Sequence, residues 1–124
     1  MDLIVRGMCC LIPGEKFRKN SSVTRLVDRF LEHARVFVFC NDGHPEMYMA
    51  SADWMNRNLN RRIELGFPVY DENIKTELKK MLEIQLQDNS KARILDPELS
   101  NKYARRNNTD KKYRAQEDYY NYIK

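Results

Sequence analysis

The first residue whose type and position could do chemistry is His33, which stands beside Glu32 and close to Arg35. An imidazole titrates near neutral pH, so it can donate a proton or a hydrogen bond to a phosphoryl oxygen atom or a leaving group. Taken by itself, a histidine here is more often a surface or helix-end residue satisfied by its neighbours. The residues alone therefore leave both interpretations of His33 open.

Two arginines lie in segments with the composition of strands. Arg6 is a charge inside an apolar run, and a buried guanidinium is costly unless it is paired or points into a site. Its planar fork suits bidentate contact with phosphate, and Gly7 would let a ligand approach the backbone closely. We therefore predict that Arg6 binds a ligand. Arg35 is equally consistent with a phosphate clamp and with a salt bridge.

Three cysteines and one histidine raise the question of a zinc site: Cys9, Cys10, Cys40 and His44. Their spacing matches no Cys-x-x-Cys pattern, and adjacent cysteines in a strand would point to opposite faces. We therefore predict no metal site. An odd number of cysteines also argues against a disulfide framework and favours a reducing cytoplasm.

Composition and charge limit the classes of protein. The chain has 124 residues, 42% of them hydrophobic and 32% charged, which suits one globular domain. A net charge of +4 favours polyanionic partners such as nucleic acid, nucleotide or polyphosphate without choosing among them. No apolar run approaches the roughly 20 residues of a membrane span. The chain starts directly in strand-like sequence and has no signal peptide, so we expect a piece of a longer protein.

The elements that must position these residues alternate between strand and helix patterns. We predict strands over residues 3–12, 35–40, 46–50 and 61–68. A helix is predicted to begin at Ser21 or Ser22 and to end near His33, because its apolar residues follow one helical face. That face consists of Val23, Leu26, Val27, Phe30 and Leu31. A second helix is predicted from Asp71, as its cap, to about residue 87.

The remaining segments complete an α/β arrangement, with a mixed β-sheet flanked by helices. Residues 41–45 should form the turn of a hairpin, residues 51–60 an irregular stretch and residues 92–95 a short extended segment. We predict a single domain over 1–124, with an α/β core at 1–88 and a basic tail with a terminal helix at 89–124. The basic segment from Lys102 to Arg114 either binds a polyanion or is a solvated or interdomain arm.

Several segments together resemble the C-terminal part of bacterial long-chain polyphosphate kinases (ATP–polyphosphate phosphotransferases). The similarity is carried by residues 5–13, 29–35, 51–59, 61–64, 91–93 and 99–101. It covers almost the whole chain, and the Ser-Ala-Asp-Trp-Met stretch at 51–55 is specific.

The resemblance implies a phospholipase D-like half-domain. In that superfamily, two halves each contribute a His-x-Lys-x-x-x-x-Asp motif to one cleft. Here Arg35 takes the lysine place after His33, and Cys40 stands where the acid would be. This departure weakens a phosphodiesterase function more than a kinase function.

The resemblance also implies the reaction, which is reversible transfer of the terminal phosphoryl group of ATP to inorganic polyphosphate. The histidine that becomes phosphorylated belongs to a preceding domain, so His33 is expected to be catalytic as its partner. Arg6, His33 and Arg35 are expected to bind substrate phosphates. Mg²⁺ is expected to accompany ATP, with its ligands outside this chain.

The same resemblance sets the expected partners: ATP or ADP, polyphosphate and preceding domains of the same protein, with no nucleic acid. The chain alone is expected to be inactive. Homo-oligomerisation and membrane association of this cytoplasmic protein are left open. The alternatives are a non-catalytic polyanion- or nucleotide-binding module and a phospholipase D-like phosphodiesterase.

Residues around the expected site receive weaker assignments. Arg57 and Asn58 are candidates to line the cleft, whereas Trp54 and Met55 are more often core residues. A possible ion-pair cluster that supports the histidine consists of Arg61, Arg62 and Glu64.

Overall fold

The computed structural model describes residues 1–7, 9–11, 13, 21–104 and 111–124. These residues form seven strands and three α-helices, which confirms the α/β class. The strands are β1 (Asp2–Val5), β2 (Ser22–Leu26), β3 (Val36–Phe39), β4 (Glu46–Ala50), β5 (Gly66–Pro68), β6 (Ala92–Ile94) and β7 (Lys102–Tyr103). The helices are α1 (Asn56–Arg61), α2 (Glu72–Leu86) and α3 (Ala115–Ile123).

The chain divides into two compact units. Unit 1 contains Met1–Leu31 and Met81–Lys124, and unit 2 contains Glu32–Lys80. The predicted division at residue 88 falls inside unit 1, because Ala92 and Ala115 beyond it are core residues there. Two sheets replace the single predicted one: a four-stranded sheet in the order β1-β2-β6-β7 and a three-stranded sheet in the order β3-β4-β5.

The sheet of unit 1 is mixed, as predicted. β1 pairs with β2 in parallel, while β2 with β6 and β6 with β7 are antiparallel. Leu26, Ile84, Ala92 and Ala115 form the buried cluster that packs the sheet against α2 and α3. β1 ends at residue 5 instead of reaching residue 12, and residues 8 and 12 of that prediction lie outside the described residues.

Residues 22–26 form a strand, so the helix predicted to begin near residue 21 is wrong. Val23 and Leu26 are both buried, yet their odd separation places them on opposite faces of the strand. Phe30 and Leu31, which the prediction placed on the same face, are exposed. Pairing with β1 and β6 gives the backbone of β2 its hydrogen bonds, and tertiary pairing of this kind readily overrides a helical pattern.

Two polar residues after α2 join three elements of unit 1. The carboxylate of Asp88 is buried and accepts hydrogen bonds from the backbone N–H groups of Ser90, Lys91 and Ala92 at 2.6 to 2.9 Å. Its other oxygen accepts from the N–H of Ala115 at 2.7 Å, at the start of α3. Asn89 exchanges hydrogen bonds with the backbone of residues 111 and 113. The end of α2, the start of β6 and the start of α3 are therefore connected through one acidic side chain.

Unit 2 contains the predicted hairpin of β3 and β4, and β4 has the predicted limits. Asn41, Asp42 and Gly43 at its turn have φ angles of 42°, 53° and 88°. These three residue types adopt the left-handed region most readily, which explains why they stand at this turn. Met47 of β4 is buried, as is Val69 just after β5.

Two predictions in unit 2 need correction. The stretch 51–60 contains helix α1 from Asn56, and the predicted strand at 61–68 shrinks to β5. By contrast, the start of α2 is as predicted, because the carboxylate of Asp71 accepts from the N–H groups of Asn73 at 2.8 Å and Ile74 at 3.0 Å. Ile74, in the first turn of α2, is about half exposed.

The basic segment 102–114 is only partly an exposed arm. Lys102, Lys111 and Lys112 are exposed, whereas residues 105 and 106 lie outside the described residues. Arg114 is not a free cation, because its side chain is 16% exposed and its guanidinium donates two hydrogen bonds to Asp28, at 2.8 and 2.7 Å. α3 follows directly, which confirms the predicted terminal helix.

Candidate functional site

His33 lies in an irregular segment between β2 and β3 and is exposed. It is therefore not at the end of a helix, because the predicted helix is absent. Nη1 of Arg35 is 3.2 Å from Nδ1 of His33, and Nη2 is 3.1 Å from Nε2. The two ring nitrogens point in diverging directions, so one guanidinium cannot bond to both in the plane of the ring. The matched distances indicate that the guanidinium lies against the face of the imidazole.

Arg35 is held from its other side by Asp53. Nε and Nη2 both donate to Oδ1 of Asp53, at 3.0 and 2.9 Å, and Nη1 also donates to the carbonyl of His33 at 3.1 Å. The Arg35 side chain is 17% exposed and that of Asp53 is 42% exposed. Of the two sequence interpretations of Arg35, the structure therefore shows the salt bridge, while contact with phosphate stays a prediction.

A polar network fixes the segment that carries Asp53. Ser51 donates to Oε2 of Glu64, and the buried Asn58 donates to Oε1 of Glu64 at 2.7 Å. These hydrogen bonds lower the pKa of Glu64, and the positive charges of Arg62 and Arg35 lower it further. Glu64 thus supports the site through hydrogen bonds, and Asn58 packs inside unit 2 instead of lining a cleft.

Trp54, next to Asp53, lies on the surface. It is 78% exposed, so the prediction that it belongs to the core is wrong. One face of its indole stacks on Phe37 of β3, with ring centroids 5.9 Å apart and planes 18° apart. Met55 is also exposed. The exposed Trp54 therefore stacks on a half-buried aromatic residue of the strand that follows Arg35.

Arg6 belongs to unit 1, just after β1. Its Nη1 donates to the backbone carbonyl of Phe30 at 2.7 Å. Gln116 of α3 brackets the same residue, since its amide donates to that carbonyl at 2.8 Å and accepts from the N–H of Phe30 at 2.9 Å. The backbone of Phe30, three residues before His33, is thus held within unit 1 by Arg6 and α3.

The structure brings His33 and Arg35 together within unit 2, while Arg6 has its described contacts in unit 1. The residue that sequence reasoning missed is Asp53. A signal for it was available, because a salt bridge was one of the two interpretations of Arg35 and Asp53 stands in the specific stretch at 51–55.

Metal-binding chemistry is not evident in the described part of the chain. Within it, no group of three or more His, Cys, Asp or Glu side chains could hold a metal ion. Cys9, Cys10 and Cys40 are free thiols. None of the described helices is long and apolar enough to cross a membrane.

Comparison with known proteins identifies the class to which this fold and site belong. The family model described as "Polyphosphate kinase C-terminal domain 2" matches residues 1–116. The crystal structure of polyphosphate kinase from Porphyromonas gingivalis superposes with a TM-score of 0.91 at 49% identity, over 98% of this chain and 19% of that one. The chain therefore belongs to the polyphosphate kinase C-terminal domain family.

Two curated relatives of this chain are named polyphosphate kinase, which agrees with the family assignment. A polyphosphate kinase of Vibrio vulnificus (strain YJ016) is 48% identical over 123 residues, which are 98% of this chain and 17% of the relative. The polyphosphate kinase of Escherichia coli (strain K12) is 46% identical over 125 residues, 100% of this chain and 18% of the relative. The chain thus spans less than a fifth of the length of these relatives.

Proposed function

We propose that this chain supplies one half of the active site of an ATP–polyphosphate phosphotransferase, which reversibly transfers the terminal phosphoryl group of ATP to inorganic polyphosphate. The observation that carries the proposal is the exposed His33 with Arg35 against its ring, in a chain of this family. Since the relatives are more than five times longer, we expect activity to require the parts that this chain does not cover, and the chain alone to be inactive.

Phosphoryl transfer depends mainly on positioning and on stabilising the charge of the transferred group. In this proposal, the imidazole of His33 donates a hydrogen bond or proton to a phosphoryl oxygen atom or to the leaving group. Arg35 adds positive charge next to the same ring, close to where negative charge develops.

Arg6 is proposed to bind the phosphates of the nucleotide. Within the part of the chain that the structure describes, its one hydrogen bond runs from Nη1 to the carbonyl of Phe30. Nε and Nη2 therefore keep N–H donors for phosphate oxygen atoms. The contact with Phe30 would hold the guanidinium in a fixed direction, which lowers the entropy lost on binding.

The remaining parts of the proposal concern the longer protein. Mg²⁺ would accompany ATP and neutralise charge on its phosphates. Among the described residues, no group of three or more His, Cys, Asp or Glu side chains could hold a metal ion, so we derive no step from it. We propose the cytoplasm as the location and preceding domains of the same protein as partners, one of which would carry the phosphorylated histidine.

The test is polyphosphate synthesis from ATP by the full-length protein with His33→Ala. We expect turnover to fall by about 100-fold to 10,000-fold, the usual contribution of a positioned acid or base. His44→Ala is the matched control, because His44 is the other histidine of the chain and lies exposed after the hairpin turn. It should leave turnover unchanged.

Near-normal turnover of the His33→Ala protein would contradict the proposed role. The alternative of a polyanion-binding module is not favoured, because Arg35 and Arg114 are both paired with carboxylates. That alternative would gain support if His33→Ala kept its turnover while substitution of Lys111 and Lys112 abolished binding of polyphosphate.

A further inference from the structure

We infer that Asp53 is a positioning residue for His33 and acts on it through Arg35. The inference rests on the proposed function, since it concerns the same histidine. In the described contacts, Asp53 does not touch the imidazole of His33, and it is not proposed to touch the substrate. It nevertheless determines how the imidazole is oriented.

The first step is the direction of the guanidinium. Nε and Nη2 of Arg35 both donate to Oδ1 of Asp53, at 3.0 and 2.9 Å. The guanidinium is planar and rigid, so holding one of its edges fixes where its remaining nitrogen points. That nitrogen, Nη1, points to His33 and contacts both its carbonyl and its ring.

The second step is the orientation of the imidazole. An exposed histidine side chain is otherwise free to rotate, and only part of its orientations present a nitrogen to a substrate. Arg35 lies against the face of the ring, with Nη1 3.2 Å from Nδ1 and Nη2 3.1 Å from Nε2. Because Arg35 is itself held by Asp53, the ring orientation depends on a carboxylate two contacts away.

The third step is charge. Arg35 places a full positive charge against a residue that is proposed to give a proton to phosphate. Asp53 supplies the opposite charge at 2.9 Å, so the cation keeps a partner when no substrate is present. Without Asp53, the guanidinium would lose both its counter-charge and its direction and could turn away from the ring toward solvent.

The fourth step is the rigidity of the segment that carries Asp53. Ser51 and Asn58 on either side of it are hydrogen-bonded to Glu64. Trp54 stacks on Phe37, which is two residues after Arg35 on the chain. The carboxylate of Asp53 is thus presented from a braced segment, as a positioning role requires.

A double-mutant cycle in the full-length protein tests the inference. The variants are Asp53→Ala, Arg35→Ala and the combination, with kcat and KM measured for ATP-dependent polyphosphate synthesis. We expect Asp53→Ala to lower kcat on the order of 10-fold to 100-fold, the scale of a displacement of about 1 Å in an active site. In the Arg35→Ala background, Asp53→Ala should lower kcat no further.

Asp71→Ala is the matched control for a merely structural effect. Asp71 is a carboxylate of the same unit that caps α2, so its loss weakens unit 2 without touching Arg35. It should leave kcat within about twofold, because a lost cap costs stability of about 1 kcal/mol but no contact with the site. If Asp53→Ala does not fold, Asp53→Asn takes its place with the same expectation, since it removes the charge and keeps the volume.

Three outcomes would overturn the inference: a normal kcat for the Asp53 variant, fully additive losses in the cycle, or an equal loss for Asp71→Ala. Each can be separated from failure of the proposed function. If His33→Ala is inactive while Asp53→Ala is normal, only the inference fails. If His33→Ala is active, the proposed function fails as well.

Discussion

Among the residues that the structure describes, each unit contains an arginine–aspartate pair, and the two pairs differ in the exposure of the acid. The side chains of Arg114 and Arg35 are 16% and 17% exposed, but the side chain of Asp28 in unit 1 is 4% exposed and that of Asp53 in unit 2 is 42% exposed. Asp28 and Arg114 are 86 positions apart in sequence, whereas Asp53 and Arg35 are 18 apart.

The difference shows how one kind of ion pair serves two purposes. The hydrogen bonds from Arg114 hold the pKa of Asp28 below its ordinary value, and Asp28 in turn raises the pKa of Arg114 above its already high value. That pair ties the start of α3 to the segment just after β2. The pair in unit 2 joins neighbouring parts of the chain and leaves one edge of its guanidinium for His33.

Asp88 belongs with Asp28, because it is a buried carboxylate that connects elements of unit 1. If the comparison is correct, substitution of the acids of unit 1 should destabilise the chain, and substitution of Asp53 should mainly change activity. Three measurements of stability test this, in order of decreasing expected effect.

Asp88→Ala should have the largest effect on stability. It removes the acceptor of four backbone N–H groups, of which those of Ala92 and Ala115 are buried. A buried donor left without a partner costs about 1 to 3 kcal/mol, so the free energy of unfolding should fall by at least that amount. Urea unfolding of the 124-residue chain, followed by circular dichroism, measures it.

The control for Asp88→Ala is Asp96→Ala. Asp96 also accepts from nearby backbone and side-chain donors, at Ser100, but that loop is exposed. Equal losses of unfolding free energy for the two variants would show that burial of Asp88 is unimportant. That result would contradict the proposed difference between the two units.

Asp28→Asn should destabilise the chain less than Asp88→Ala, because Arg114 keeps Glu117 as a second partner. It should also change the response to acid. The folded pKa of Asp28 lies below 3.8, so its contribution is fully present above that pH and is lost as pH falls through the folded value. The variant should therefore lose less stability than the wild type between pH 4 and pH 2.

Thermal unfolding at a series of pH values measures this difference. Parallel curves for wild type and Asp28→Asn below pH 4 would mean that the Asp28–Arg114 pair does not contribute to acid stability. Glu64 in unit 2 should contribute to acid stability in the same direction, because hydrogen bonds from Ser51 and Asn58 also lower its pKa.

Asp53→Ala should have the smallest effect on stability. A partly exposed ion pair contributes about 0 to 1 kcal/mol, so the midpoint of thermal unfolding should stay close to that of the wild type. Together with a reduced kcat in the full-length protein, this result would sharpen the contrast between the units. A loss of stability as large as that of Asp28→Asn would instead indicate that both ion pairs serve mainly to stabilise the fold.

Local patterns predicted several elements well. Asp71 marks the start of α2, residues 41–43 mark the hairpin turn, and the apolar and aromatic residues of 36–39 mark β3. In each of these, the deciding interactions are between residues close in sequence, such as a cap or a tight turn, and so the residue types reveal them.

The failures occurred where distant parts of the chain decide. Residues 22–26 have a helical pattern but pair with strands β1 and β6, and Trp54 has the size of a core residue but stacks on the surface. For the site, the candidates His33 and Arg35 were found from the sequence, and Asp53 was not. Its contact with Arg35 depends on how the segment after β4 folds back.

The sequence by itself determined the α/β class, the family resemblance and the residue types of the proposed phosphate-binding site, because these follow from local patterns and a specific motif. Only the tertiary structure decided which carboxylate meets which guanidinium. The sequence contains 18 acidic and 22 basic residues, so many pairings are chemically equivalent. Burial and backbone geometry select Asp28 for Arg114 and Asp53 for Arg35, and this selection separates an ion pair with a buried acid in unit 1 from one whose guanidinium contacts His33.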